Sequence, residues 1–181
     1  MSQWEKDIDC ILYTEQQLAD MVKQLGARIS EEYRDKNLFM VAVLKGSVVF
    51  MADLMRQITV PCTIDFMSVS SYGKGTSSSG QVRILKDLDA SLEGKDLLLI
   101  EDILDSGKTL SYLIDMLSAR KPASIRICTL LDKPERRQAD IHADFVGTQV
   151  PDAFIVGYGL DYAEQYRHLP YIAVLKPEIY A

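Results

Sequence analysis

Apolar positions along this 181-residue chain recur with two different periods. Leu18, Met21, Val22, Leu25 and Ile29 fall at helical spacing, and Thr14 and Gln17 ahead of them have the spacing of a capping box, so an amphipathic helix is predicted here. Leu38–Leu44 is an unbroken apolar run ended by Lys45-Gly46-Ser47, the pattern of a strand buried on both faces. Val49, Phe50, Leu54 and Ile58 predict a helix after it, and Ile64–Val69, beyond Pro61, a second strand. A third buried strand, Lys95–Ile100, runs into the polar segment from Glu101 to Thr109, which Leu110, Leu113, Ile114 and Leu117 follow at helical spacing. Ile125–Leu131, Phe154–Val156 and Ile172–Leu175 are the remaining strand candidates. Residues 71–80 (SYGKGTSSSG) are too poor in large side chains to pack a core and predict a mobile loop.

Strands alternating with helices imply right-handed crossovers. The expected fold class is α/β, a mostly parallel twisted sheet flanked by helices on both faces. With no linker and no internal repeat, residues 1–181 are expected to form one domain. Ligands of such sheets bind at the carboxyl ends of the strands. The chemistry is therefore expected after Leu44, Ile100, Leu131 and Val156.

Composition narrows the classes further. Charged residues at 25% and hydrophobic residues at 48% exclude a disordered or collagen-like chain. The 26 acids against 20 lysines and arginines give a net charge of -6, which opposes nucleic acid or anionic lipid as main partner. The start carries no basic segment followed by an apolar run, and no apolar stretch approaches the ~20 residues that span a bilayer, so neither a secretory signal nor a membrane anchor is expected. Cys10, Cys62 and Cys128 form no CxxC pair and have only His142 and His168 for company. Reduced cysteines in a cytoplasmic protein fit better than disulfides or zinc.

Gly107-Lys108-Thr109 has the ending of a Walker A loop, but Asp102 stands where that loop needs glycine, and a carboxylate there would repel phosphate. Gly73-Lys-Gly75 and Gly157-Tyr-Gly159 both lack the third glycine of a dinucleotide fingerprint, having Ser78 and Tyr162 in its place. The segment from Leu97 to Thr109 is more specific. Hydroxyls and N–H groups at a helix N-terminus form an anion site, and Gly107 lets the chain curl around a phosphate. Glu101 and Asp102 suit sugar hydroxyls and hydrated Mg²⁺. Together these describe a phosphorylated ribose.

LLLIEDILDSGKTL resembles the phosphoribosyl-pyrophosphate (PRPP) signature of the type I phosphoribosyltransferases. Leu44-Lys45-Gly46, Ser71-Tyr72 and PDAFIVGYGLDYAEQYRHLPYI narrow the resemblance to the hypoxanthine–guanine branch, from about Ile11 to Tyr180 and in the family's order. The resemblance implies purine salvage: transfer of the phosphoribosyl group to hypoxanthine or guanine, giving IMP or GMP. It implies Asp105 as general acid/base near N7 of the purine, and Ser106, Gly107, Lys108 and Thr109 around the 5′-phosphate. It places Glu101 and Asp102 by the ribose and Mg²⁺, and Asp161 by a second Mg²⁺. Lys45 and Gly46, with a cis peptide often found before the lysine, are implied at the pyrophosphate, together with Arg167, Ser71 and Tyr72. Lys133 would donate to the purine O6 and oppose the amino group of adenine, Phe154 would stack, and backbone carbonyls near Ile155 and Asp161 would accept from the guanine 2-amino group. The loop at 71–80 becomes a lid, the terminal segments a small hood, and the protein a homodimer or homotetramer.

Two other readings compete. A PRPP-binding regulator of the pyrimidine attenuation type would bind RNA, but Arg120-Lys121 and Arg136-Arg137 are isolated basic pairs on an acidic chain. Among enzymes the nearest rival is a xanthine-preferring or adenine-specific relative; Lys133 argues against adenine, while hypoxanthine, guanine and xanthine preferences are not separated by the sequence.

Overall fold

The computed structural model describes residues 3–71 and 82–180. Its elements in chain order are β1 (Ile8–Tyr13), α1 (Glu15–Glu32), β2 (Leu38–Leu44), α2 (Val48–Met55), β3 (Cys62–Ser71), β4 (Val82–Lys86), β5 (Asp96–Leu104), α3 (Lys108–Ser118), β6 (Ser124–Asp132), β7 (Phe145–Gln149), β8 (Ile155–Val156), β9 (Ile172–Leu175) and α4 (Pro177–Tyr180).

Local signals account for the main elements. The Thr14 hydroxyl accepts from the Gln17 N–H while Gln17 Oε1 accepts from the Thr14 N–H, so α1 starts at a closed capping box. Its stripe of Leu18, Val22, Leu25 and Ile29 is buried. A fully buried side chain of this size contributes about 1.5–3 kcal/mol, so the stripe fixes which face of α1 meets the sheet.

Six strands form the main sheet in the order β4-β3-β2-β5-β6-β7, parallel except for β4, which pairs antiparallel with β3. Alternate residues of β2 point to opposite layers. Leu38, Met40 and Ala42 join α1 and α2 on one face, while Phe39, Val41 and Val43 join α3 on the other. A separate antiparallel sheet, β1-β9-β8, is the hood expected from the terminal segments, packed around Val156, Tyr166, Leu169 and Leu175. No helix among the described residues is long and apolar enough to cross a membrane.

Several boundaries differ from expectation. The strand predicted to end at Ile100 continues to Leu104, because β6 goes on pairing with it through Glu101↔Thr129, Ile103↔Leu131 and Leu104↔Asp132. Glu101 and Asp102 therefore lie within a strand and not after it. The α2 helix stops at Met55, short of Ile58, and Phe154 precedes β8. Strands β1, β4 and β7 have no counterpart in the expected set. Of the predicted lid, Ser71 ends β3 and the rest of 71–80 lies outside the described residues.

Candidate active site

The chain leaves β2 to one side, for β3, and later returns to its other side as β5. The order reverses between β2 and β5, and such a switch point opens a crevice beyond the carboxyl ends of the strands. The registers show the opening: β2 and β5 pair from Leu38↔Asp96 to Ala42↔Ile100 and no further. Past that point β2 runs through a cis Leu44–Lys45 peptide into Lys45-Gly46, while β5 continues beside β6.

Gly46 sits against Asp102 so closely that a Cβ at position 46 would overlap Asp102 Oδ2. On its other side the Gly46 carbonyl meets Gly159, at φ +102, where a Cβ would overlap that oxygen. The pyrophosphate loop expected at Lys45-Gly46 is thus wedged between the acidic strand and the hood.

Glu101 and Asp102 are both held above the ordinary carboxylate range. Burial, and then the neighbouring Asp102 charge, push Glu101 well above the ordinary carboxylate range. Asp102 is pushed up to about 6 by burial; the N–H groups of Ile103 and of Asp102 itself and the Arg167 charge draw it down, and Asp161 pushes it up. Among the described residues no three His, Cys, Asp or Glu side chains come close enough to enclose a metal ion. One buried and one half-buried acid, short of positive charge, match the donor set of a cation that keeps most of its water and takes its other ligands from a substrate.

Two cavities meet at Asp105. One, ≈ 180 Å³, is walled by the strand-to-helix turn: Glu101, Asp102, Asp105, Ser106, Gly107 and Thr109 all line it. Gly107 caps α3 at φ +79, and a Cβ there would lie 2.5 Å from Ile141 Cγ2, so both backbone and space call for glycine. Lys108 opens α3 but is not part of that lining. The other cavity, ≈ 450 Å³, brings Asp105 together with Lys133, Phe154, Ile155 and Asp161, residues up to 56 positions away.

Within the larger cavity the polar groups are already held. Lys133 Nζ donates to the Ala153 carbonyl at 2.6 Å and lies 3.9 Å from Asp152. Burial lowers its pKa, with Asp105 and Asp152 acting in the opposite sense. Arg136 Nε lies 3.1 Å from Asp105 Oδ1 and its Nη1 lies 3.2 Å from Asp152 Oδ1, so one guanidinium spans both acids. Asp105 Oδ1 is buried and has no further partner among the described residues.

Arg167 links the remaining predicted residues. It contacts Asp161 at 2.9 Å, donates to the Gly159 carbonyl at 2.8 Å and lies 3.4 Å from Glu164 Oε2, while its Nε is buried with no hydrogen-bond partner among the described residues. Lys45 Nζ reaches the same Glu164 oxygen at 2.9 Å. The two cations expected at pyrophosphate therefore converge on one carboxylate, whose pKa the Lys45 hydrogen bond lowers. Sequence reasoning missed Glu164, Arg136, Asp152 and Tyr180. Only Glu164 had a local cue, an acid three residues before Arg167. Ser71 contributes its backbone to the end of β3, paired with Val82, and Tyr72 lies outside the described residues.

Comparison with known proteins shows what the chain as a whole is similar to. A family model described as phosphoribosyl transferase domain matches residues 11–163. The chain is 59% identical over 174 residues to the hypoxanthine-guanine phosphoribosyltransferase of Bacillus subtilis, covering 96% of this chain and 97% of that protein. It is 54% identical over 175 residues to the bifunctional protein TilS/HprT of Listeria monocytogenes, of which it spans only 27%. A crystal structure of a hypoxanthine phosphoribosyltransferase from Staphylococcus aureus superposes with a TM-score of 0.97 at 52% identity, covering 99% of this chain and 98% of that one.

Proposed function

The chain belongs to the phosphoribosyltransferase family, and from that premise we propose that it performs purine salvage: Mg²⁺-dependent transfer of the 5-phosphoribosyl group of PRPP to N9 of hypoxanthine or guanine, giving IMP or GMP and pyrophosphate. One observation carries this reading: Asp105 is shared by the small cavity of the signature turn and by the larger cavity of Lys133 and Phe154. A reaction joining a phosphorylated sugar to a base needs an acid/base group where the two meet.

The residues divide the work accordingly. The N-terminus of α3, with Ser106, Gly107, Lys108 and Thr109, receives the 5′-phosphate through N–H groups and the helix dipole. Phe154 stacks on the base, Lys133 donates to O6, and the carbonyls of Ile155 and Asp161 accept from the 2-amino group of guanine. The N9–C1′ bond forms as the C1′–O bond to pyrophosphate breaks, and the Asp105 carboxylate takes the proton released at N7. Lys45, Gly46 and Arg167, joined by Ser71 and Tyr72, hold the departing pyrophosphate. Glu101 and Asp102 would hold one Mg²⁺ and Asp161 a second, and the metal would supply charge neutralisation for the leaving group when bound. Most of the protein's contribution is positioning and electrostatics.

Three free cysteines suit a reducing cytoplasm, and exposed Val48 and Met55 on α2 offer apolar area to a second copy in a homodimer or homotetramer. The relatives' names favour neither an RNA-binding regulator nor a xanthine-preferring enzyme. The deciding assay supplies PRPP and Mg²⁺ with hypoxanthine, guanine, xanthine, adenine or uracil in turn. Nucleotide should form from hypoxanthine and guanine. Turnover of adenine or uracil alone would overturn the assignment.

A further inference from the structure

The ring of Phe154 is not bare. Tyr180 lies over it with ring centroids 4.7 Å apart and planes 23° from parallel, and Tyr162 meets it edge-on at 5.4 Å and 90°. The hood delivers Tyr180 to this place. Pairing of β8 with β9 (Ile155↔Val174, Val156↔Ala173) and the Leu175 N–H donated to the Phe154 carbonyl set the last turn of the chain, α4, beside Phe154. Both rings then line the cavity that contains Lys133, Asp105 and Asp161.

A ring in this position could simply cover apolar surface. Two features argue for more. Tyr180 is still 36% exposed despite its stack, so it is a poor cover. Its hydroxyl has no hydrogen-bond partner among the described residues, so the side chain is held at the cavity by its ring alone. A nucleobase stacks on an aromatic side chain more strongly than two such side chains stack on each other. The Phe154–Tyr180 pair is therefore primed to accept a flat heterocycle.

We propose that Tyr180 is a base-binding residue: the purine joins the Phe154–Tyr180 pair as a third ring, and this stack sets both affinity for the base and preference for a two-ring over a one-ring heterocycle. The proposal rests on the reading of this cavity as the base site.

The test compares Tyr180→Ala, Tyr180→Leu and Tyr180→Phe, with KM for hypoxanthine measured at saturating PRPP and KM for PRPP as a check on folding. Tyr180→Ala should raise the hypoxanthine KM about tenfold with the PRPP KM unchanged. Tyr180→Phe should restore most of the loss, because the ring and not the hydroxyl binds. Tyr180→Leu, apolar but without a π face, should behave like alanine. Wild-type KM in Tyr180→Ala, or equal rescue by leucine and phenylalanine, would overturn the proposal. Phe154→Leu separates the two levels of inference. An unchanged hypoxanthine KM in that variant would remove the base-site reading itself, and the role of Tyr180 with it.

Discussion

Gly46 and Asp102 touch across the gap where β2 and β5 stop pairing, and no side chain fits between them. The contact ties the loop expected to hold pyrophosphate to the acid expected beside the ribose. Gly46→Ala forces either the loop or the strand to shift. Overpacking of this kind costs about 1–3 kcal/mol, and a displacement of about 1 Å at a reacting centre costs about a hundredfold in rate. The variant should therefore fold with a lowered Tm and lose kcat/KM for PRPP by about two orders of magnitude, measured by thermal unfolding and steady-state kinetics.

Asp65 gives a prediction about acid stability away from the site. Its buried carboxylate accepts from the Phe66 N–H at 2.7 Å, the Asp89 N–H at 2.8 Å and Lys86 Nζ at 3.2 Å. Burial alone would raise its pKa, but these donors outweigh it and hold the group below its ordinary 3.8. The unfolded chain thus takes up the proton first as pH falls. The stabilisation is complete above pH 3.8 and is lost as pH drops through the lower folded value. Asp65→Asn should cost about 1–3 kcal/mol at neutral pH and should flatten the decline in urea-unfolding free energy below pH 4, checked by denaturation at a series of pH values.

Much of this architecture is legible in the chain because the strongest patterns are local. Leu38–Leu44 and Ile172–Leu175 read as strands and are β2 and β9 with the same bounds. The turn from Glu101 to Thr109 reads as a phosphate site because it occupies one continuous stretch. What escapes is what depends on partners. Glu101-Asp102 look like loop punctuation, yet β6 keeps them in a strand. Strand β7 holds only FVGTQ, and its Gly147, where a Cβ would lie 2.5 Å from the Leu130 carbonyl oxygen, makes sense only beside β6. Lys45 meets Glu164 119 residues away, and Tyr180 meets Phe154 through the hood; neither pairing leaves a local trace.

As the proposed general base, Asp105 should separate chemistry from binding. An asparagine there keeps the shape but cannot take a proton from N7, and general-base catalysis supplies about 10²–10⁴ in rate. Asp105→Asn should lower kcat within that range while the PRPP dissociation constant changes by less than about tenfold. Single-turnover kinetics and equilibrium PRPP binding give the two numbers. Equal losses in both would make Asp105 a binding residue and leave the proton without an acceptor.

On the proposed reading, Lys133 selects the base. It is buried, and its ammonium can only donate; one donor bond already goes to the Ala153 carbonyl, leaving two N–H groups for the cavity. A carbonyl at C6 of the purine satisfies such a donor, whereas an amino group opposes it. A site built to pair one polar group can reject its mismatch by about 10⁴–10⁵. Lys133→Gln replaces the cation with an amide that both donates and accepts, so it can turn either end to the base. Its kcat/KM for hypoxanthine should fall, and the ratio of hypoxanthine to adenine should fall by at least about tenfold as adenine gains an acceptor. The ratio is the decisive quantity, because a general loss of stability or of PRPP binding lowers both activities and leaves it unchanged. An unchanged ratio would assign recognition of C6 to another group.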